Sequence, residues 1–127
     1  MPEQNKLKLE WIRKAEEDEL SIKVILKENG APSTACFLSQ QMAEKYLKAF
    51  LIASNKEFPK IHLLDSLLEL CIKIDSNFKE LKKEAISLND YYIDTRYPGD
   101  YPEFGLKEAK QAFDNALKIK EFVLKRI

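Results

Sequence analysis

The stretch that decides the fold runs from residue 36 to residue 51 and reads CFLSQQMAEKYLKAFL. Apolar side chains recur in it every three or four residues, including Cys36, Ala43, Leu47 and Phe50. This spacing is typical of an α-helix with one apolar stripe. Because the segment is the most apolar of the chain's periodic segments, we predict that it forms a central helix.

The sequence on either side divides into further helical segments, because Gly and Pro number only 3 and 5 and occur in clusters. No segment alternates apolar and polar residues with a period of two, so no sheet is expected. We predict an all-α fold, an antiparallel up-and-down bundle of four to five helices forming one domain over residues 1–127. The predicted helices cover about residues 6–28, 34–53, 63–74, 78–94 and 106–125. We expect Asn29-Gly30 to end the first helix, with Gly30 in the left-handed conformation, and residues 55–59 to end the second. Asp75-Ser76-Asn77 is expected to cap the fourth.

Composition excludes several classes of function. Lysine plus arginine and aspartate plus glutamate both number 21, so no net charge attracts nucleic acid to the whole molecule. One histidine and two distant cysteines make no zinc signature, and no Gly-rich phosphate loop is present, so we expect no metal and no cofactor. Cys36 and Cys71 lie in apolar segments and are interpreted as buried thiols of a cytoplasmic protein. Neither a signal peptide nor a membrane span is expected.

Helix order predicts which distant residues meet. In an antiparallel bundle, four helix ends lie together at one end of the bundle, which we call a pole. They are the end of the second helix, the start of the third, the end of the fourth and the start of the last. His62 is therefore expected near the segment from Asp94 to Tyr97, with Lys48 and Phe58 in the same neighbourhood. A long crossover between helices would break this argument.

These segments resemble the HEPN family. The central stretch is similar to the family's QQAxEKxLKAxL pattern, and Trp11–Asp18 resembles its first helix. His62-Leu63-Leu64 resembles the family's H-x-L at the head of helix three. Arg96-Tyr97-Pro98 resembles the R-Y-P of one subgroup. The resemblance implies a four- or five-helix bundle that commonly dimerises. It also implies either a ribonuclease, often a toxin paired with a minimal nucleotidyltransferase, or a non-catalytic nucleotide-binding, RNA-binding or partner-binding subunit.

The sequence departs from the family's ribonuclease motif, R-x(4–6)-H. Arg96 is present, but Tyr101, Pro102 and Glu103 stand where the histidine would fall, and His62 is the chain's single histidine. Cleavage without a metal needs a group that takes the proton of a ribose 2′-hydroxyl, most often histidine. We therefore expect a non-catalytic, homodimeric binding module. The alternatives are a metal-independent ribonuclease toxin that uses Arg96 and His62, and an interaction subunit without a ligand.

The candidate ligand-binding residues each have a structural alternative. Arg96 could bind phosphate through its bidentate guanidinium group, or its charge could complement the dipole at a helix end. Tyr97 could stack on a base. His62 is a phosphate contact, a general base or a helix-capping residue. Lys45 could reach a phosphate, and Gln41 could line a groove.

Three further sets of residues can also be interpreted in more than one way. Gln41 and its neighbour Gln40 could instead bond a neighbouring helix end or Trp11, which we favour. Glu44, Lys45 and Lys48 are interpreted as a solvated helix face with a Glu44–Lys48 pair. The tyrosines around the loop, at positions 91, 92, 97 and 101, suggest a binding surface, with Tyr92 and one other in the core.

Overall fold

The computed structural model describes residues 2–58, 60–92 and 103–127. Within these ranges it contains five α-helices and no strand, so the predicted all-α fold is confirmed. A 3-10 helix, Ser76–Leu81, directly precedes the fourth α-helix. The α-helices are α1 (Pro2–Lys27), α2 (Pro32–Ala53), α3 (Leu64–Ile74), α4 (Lys82–Asn89) and α5 (Leu106–Leu124).

The ends of α1 and α2 are set by asparagines. Asn29 and Asn55 each have a φ of 58°, the left-handed conformation that closes a helix and that Asn tolerates better than most residues. After each, the next backbone N–H bonds back into the last turn, from Gly30 to the Ile25 carbonyl at 2.8 Å and from Lys56 to the Leu51 carbonyl at 2.9 Å. The expectation that Gly30 itself takes the left-handed conformation is wrong.

The predicted fourth helix is shorter than expected. Asp75 accepts a hydrogen bond from the Asn77 backbone at 3.0 Å, so the predicted cap is present, but it starts a 3-10 helix. The α-helical part begins only at Lys82 and ends at Asn89. Residues 93–94 of the predicted helix lie outside the described residues.

The predicted central position of α2 is confirmed. It packs against α1, α3, α4 and α5, and its buried side chains form the middle of the core. Cys36 and Cys71 are buried free thiols, as predicted.

The direction of the helices does not alternate throughout. The Phe104 backbone donates to Ser33 Oγ at 2.9 Å, so α5 starts beside the start of α2. At the far end, the Phe78 ring lies 4.4 Å from Phe50 and 4.8 Å from Phe122. Helices α2 and α5 therefore run parallel. This is possible because the chain turns back along α2 before α3 begins, which brings His62 level with Gln40.

Candidate functional site

Three polar side chains form a buried row on α2. Gln40, Glu44 and Lys48 are spaced four residues apart, which places them on one face of the helix. Lys48 Nζ donates to Glu44 Oε2 at 2.8 Å, and Gln40 Nε2 lies 3.3 Å from Glu44 Oε1. The predicted Glu44–Lys48 pair is confirmed, but the interpretation as a solvated face is wrong, since both residues are only 5% exposed. Sequence spacing could not show that the returning chain covers this face.

Two aromatic rings cover the lysine end of the row. Lys48 Nζ lies 5.3 Å from the Trp11 ring centroid and 5.7 Å from that of Phe58. The two rings meet edge to face at 6.5 Å. A buried cation is costly without compensation, and here a carboxylate and two π-faces supply it. The predicted nearness of Lys48 and Phe58 is confirmed.

The glutamate end of the row holds His62. Its Nδ1 lies 3.3 Å from Glu44 Oε2, and its backbone carbonyl accepts a hydrogen bond from Gln40 Nε2 at 3.0 Å. The imidazole stacks on Tyr92, with centroids 5.3 Å apart and planes within 9°. The side chain is nevertheless 46% exposed. The imidazole is thus held by a buried carboxylate and an aromatic ring while keeping a surface open to solvent.

His62 does not cap α3. The Leu64 backbone N–H instead donates to Asn89 Oδ1 at 2.6 Å, and Asn89 Nδ2 donates to Asp65 at 2.8 Å. Asn89 therefore ties the end of α4 to the start of α3 and brings Tyr92 to the imidazole. Nothing in the sequence singles out Asn89, because an asparagine at a helix end looks like an ordinary helix stop.

Gln40 takes the structural role that we favoured, a bond beside the start of a neighbouring helix, whereas Gln41 bonds Gln40. Gln41 Nε2 donates to Gln40 Oε1 at 2.7 Å, and Gln40 bonds the carbonyl two residues before α3. Lys45 Nζ lies 2.6 Å from Asp18 Oδ2, which ties α2 to α1. Burial raises the pKa of Asp18, and the bond from Lys45 opposes that shift only in part. Ligand binding by Gln41 and Lys45 stays a prediction.

Of the four tyrosines around the loop, the structure describes Tyr91 and Tyr92. Tyr91 is buried, and its hydroxyl donates to Glu108 Oε2 at 2.7 Å. Tyr92 is only half-buried, against His62. The start of α3 does lie beside the end of the fourth helix, since Leu64 bonds Asn89 and His62 stacks on Tyr92. The expected nearness of His62 to the segment from Asp94 to Tyr97 stays a prediction. Arg96, Tyr97 and the rest of residues 93–102 lie outside the described residues.

The structure gives two further findings on function classes. In the described parts of the chain, no group of three or more His, Cys, Asp or Glu residues is arranged to hold a metal ion. Among those same residues, no helix is both long and apolar enough to cross a membrane.

The helical bundle, with its buried glutamine–glutamate–lysine row and a histidine at the head of the next helix, has the features expected of a HEPN domain. The family model described as "HEPN domain" matches residues 9–127. The chain belongs to the HEPN family.

Named relatives agree with this assignment. The chain is 35% identical over 128 residues to a Methanocaldococcus jannaschii protein named "Putative toxin MJ1304", covering 89% of this chain and 83% of that protein. Its fold is similar to that of TT1696 from Thermus thermophilus, with a TM-score of 0.77 and 28% identity over 94% of this chain and 98% of the other. It is also similar to ST0689, described as an archaeal HEPN homologue, with a TM-score of 0.74 and 25% identity over 94% and 96%.

Proposed function

We propose that this chain is the HEPN subunit of a toxin–antitoxin-like pair and binds a nucleotide or RNA through the pole that carries His62, without cleaving it. The observation that carries the proposal is the half-exposed His62 imidazole, held at 3.3 Å from Glu44 and stacked on Tyr92. The toxin name of the M. jannaschii relative supports the pairing.

The surface around His62 suits a phosphate and a base. An imidazole N–H donates to phosphate oxygens, and tyrosine rings provide stacking faces that accept any base. Arg96 and Tyr97 follow Tyr92 by four and five residues in the sequence. In the proposal, the Arg96 guanidinium binds phosphate through its planar fork and the Tyr97 ring stacks on a base. Lys45 and Gln41 take secondary roles, since each already has a partner within the protein.

The composition of the site favours binding over cleavage. No histidine follows Arg96 at the spacing of the ribonuclease motif. The carboxylate beside His62 is shared with Lys48, whose Nζ is nearer, at 2.8 Å against 3.3 Å for the imidazole. The charge of Glu44 is therefore already balanced by a cation, and less of it is left to stabilise a protonated imidazole during proton transfer.

Ribonuclease activity is the second candidate, and one observation favours it. A carboxylate lies 3.3 Å from His62 Nδ1, and this arrangement orients an imidazole that acts as general base through its other nitrogen. In that case His62 would accept the 2′-hydroxyl proton and Arg96 would stabilise the charge on the phosphate.

Binding is tested by fluorescence anisotropy with a labelled single-stranded RNA and with labelled ATP. We expect His62→Ala and Arg96→Ala each to weaken binding about tenfold, which corresponds to the loss of one charge-assisted or stacking contact. Lys83→Ala, which removes an exposed cation on α4, is the matched control and should leave affinity unchanged. Equal affinities for all four proteins would contradict the proposed site. If neither ligand binds, the result would favour an interaction subunit without a ligand.

Cleavage is tested with the same RNA on a denaturing gel, with the Arg96→Ala/His62→Ala double variant beside the native protein. We expect intact RNA in both lanes. Cleavage by the native protein that disappears in the double variant would overturn the non-catalytic assignment. The pairing is tested first by reading the adjacent frame, where we expect a minimal nucleotidyltransferase, and then by co-purification of the two proteins on a tag carried by either one. An adjacent frame without such a protein, or no retention, would contradict the pairing.

A further inference from the structure

The contacts of Glu44 decide which nitrogen of His62 carries a hydrogen. Lys48 Nζ donates to Glu44 Oε2 at 2.8 Å, and Gln40 Nε2 lies 3.3 Å from Oε1. Because an ammonium group donates hydrogen bonds and cannot accept them, Oε2 acts as an acceptor. His62 Nδ1 lies 3.3 Å from the same Oε2, and a hydrogen bond to an acceptor requires a hydrogen on Nδ1. The hydrogen-bond network therefore assigns the Nδ1–H tautomer to the neutral imidazole.

The other ring nitrogen, Nε2, is the atom that His62 offers to a ligand. Nδ1 faces a carboxylate that is only 6% exposed, whereas the His62 side chain is 46% exposed. Tyr92 covers one face of the ring, so the exposed part includes the edge away from Glu44, where Nε2 lies. In the Nδ1–H tautomer, Nε2 has a lone pair and no hydrogen. It accepts a hydrogen bond and cannot donate one.

A neutral His62 therefore requires a ligand group that donates a hydrogen bond. Phosphate oxygens are acceptors, so they bind this nitrogen only when the imidazole carries a second hydrogen. Base N–H groups donate, but they differ from base to base, whereas the proposed stacking surface accepts any base. The 2′-hydroxyl of ribose is a donor that every ribonucleotide carries and that DNA lacks.

We propose that neutral His62 accepts a hydrogen bond from a ribose 2′-hydroxyl through Nε2, and that this contact makes the site select RNA over DNA. The inference rests on the proposed function, because it requires a nucleotide or RNA bound beside His62. The sugar lies between the phosphate and the base, the two groups that the proposed function already assigns to this pole. Donation to a phosphate oxygen then belongs to the protonated form of His62 alone.

Glu44 is a positioning residue in this arrangement. It holds the ring hydrogen on Nδ1 and so keeps Nε2 free of hydrogen. Lys48 balances the charge of the same carboxylate, so Nε2 is left as an acceptor and not as a strong base. His62 can therefore bind a hydroxyl without removing its proton, in agreement with binding that does not lead to cleavage.

The binding test compares RNA, DNA and 2′-fluoro RNA of one single-stranded sequence. The fluoro sugar keeps a ribose-like shape but has no hydroxyl hydrogen, so it separates hydrogen bonding from sugar shape. Fluorescence anisotropy is measured at one salt concentration and at about pH 8, above the usual titration range of imidazole. We expect the native protein to bind RNA about tenfold more tightly than either analogue, since one hydrogen bond is lost.

Two variants show whether His62 causes the preference. His62→Ala should weaken RNA binding, leave DNA binding unchanged and therefore bind all three ligands alike. Lys83→Ala, the exposed control on α4, should keep the full preference for RNA. The inference alone is overturned if native protein binds RNA no better than DNA or 2′-fluoro RNA, or if His62→Ala keeps the preference. If neither RNA nor DNA binds, the proposed function fails with it.

Nitrogen-15 NMR tests the tautomer without any ligand. His62 is the single histidine of the chain, so both imidazole nitrogen signals belong to it. At about pH 8 we expect a hydrogen on Nδ1 and none on Nε2, and a hydrogen on Nε2 instead would overturn the inference. This measurement needs only the native protein.

A double variant tests the positioning role of Glu44. Glu44→Leu combined with Lys48→Met replaces the buried pair by apolar side chains, which is often neutral for stability, and circular dichroism checks the fold. No carboxylate then holds the hydrogen on Nδ1, so we expect it to exchange between the two nitrogens and the preference for RNA to fall. An unchanged tautomer with an unchanged preference would refute the role of Glu44.

Discussion

Replacing Glu44 with glutamine tests the buried row on α2 directly. The change keeps the shape of the side chain and removes its charge, so that Lys48 is left as a buried cation without a carboxylate. Breaking a buried ion pair by removing one partner typically costs about 3–5 kcal/mol in free energy of unfolding. Because the Trp11 and Phe58 rings still face Lys48, we expect the lower end of this range, about 3 kcal/mol.

The size of the effect on the melting temperature follows from chain length. For a chain of 127 residues, the entropy of unfolding makes 1 kcal/mol equivalent to a shift of about 4 °C. Glu44→Gln should therefore lower Tm by about 12 °C. The exposed pair between Lys14 and Glu17, at 3.6 Å, provides the control. Glu17→Gln should change the free energy by less than about 0.5 kcal/mol.

A double-mutant cycle separates the ion pair from a general packing effect. Lys48→Met removes the cation, and in the presence of that change Glu44→Gln should cost at least about 1 kcal/mol less than it does alone. The measurement is urea unfolding followed by circular dichroism. A cost below about 1 kcal/mol for Glu44→Gln, or strictly additive effects of the two substitutions, would refute the reasoning.

Two further predictions follow from pKa values. Burial tends to raise the pKa of Glu19, but hydrogen bonds from Lys120 and Lys23 outweigh it and lower the pKa below 4.5. The stability that Glu19 contributes is thus complete above pH 4.5 and is lost as the pH falls through its lowered value. In acid titrations followed by Tm, native protein and Glu19→Gln should therefore converge, and a constant difference would contradict this. Burial, with a smaller effect of Glu108, raises the pKa of Cys36 to about 11, and burial raises that of Cys71 to about 12. Neither thiol should react with Ellman's reagent at about pH 8 until the protein is unfolded in guanidinium, and labelling of the native protein would show that a thiol is accessible.

Much of the fold was predictable because its signals are local. The apolar spacing around Leu47 and the helix-stop residues near Asn29 and Asn55 depend on neighbours within one or two turns. Those signals were sufficient for an all-α bundle with α2 at its centre. The prediction failed where two local conformations compete. The fourth helix begins as a 3-10 helix instead of an α-helix, and Asn29, not Gly30, is the left-handed residue.

The candidate site was predictable only in part. Helix order predicted that His62 lies near residues 94–97, at the end of the fourth helix. The imidazole stacks on Tyr92, just before that segment, and contact with the segment itself stays a prediction. Helix directions were expected to alternate, whereas α2 and α5 are parallel. The contact with His62 is preserved because Asn89 holds the start of α3 to the end of α4. The order of the helices does not predict the hydrogen bond from the Leu64 backbone to Asn89.

The sequence by itself determined that this chain is a helical HEPN-family domain, because periodicity and motif spacing are properties of the linear chain. Only the tertiary structure decided what Glu44 and Lys48 do. Their spacing of four residues is typical of a solvated ion pair, and on an isolated helix the pair would be exposed to water. Trp11 and Phe58, from two other parts of the chain, exclude water from the pair. The low dielectric that results makes the same two residues the buried support of His62.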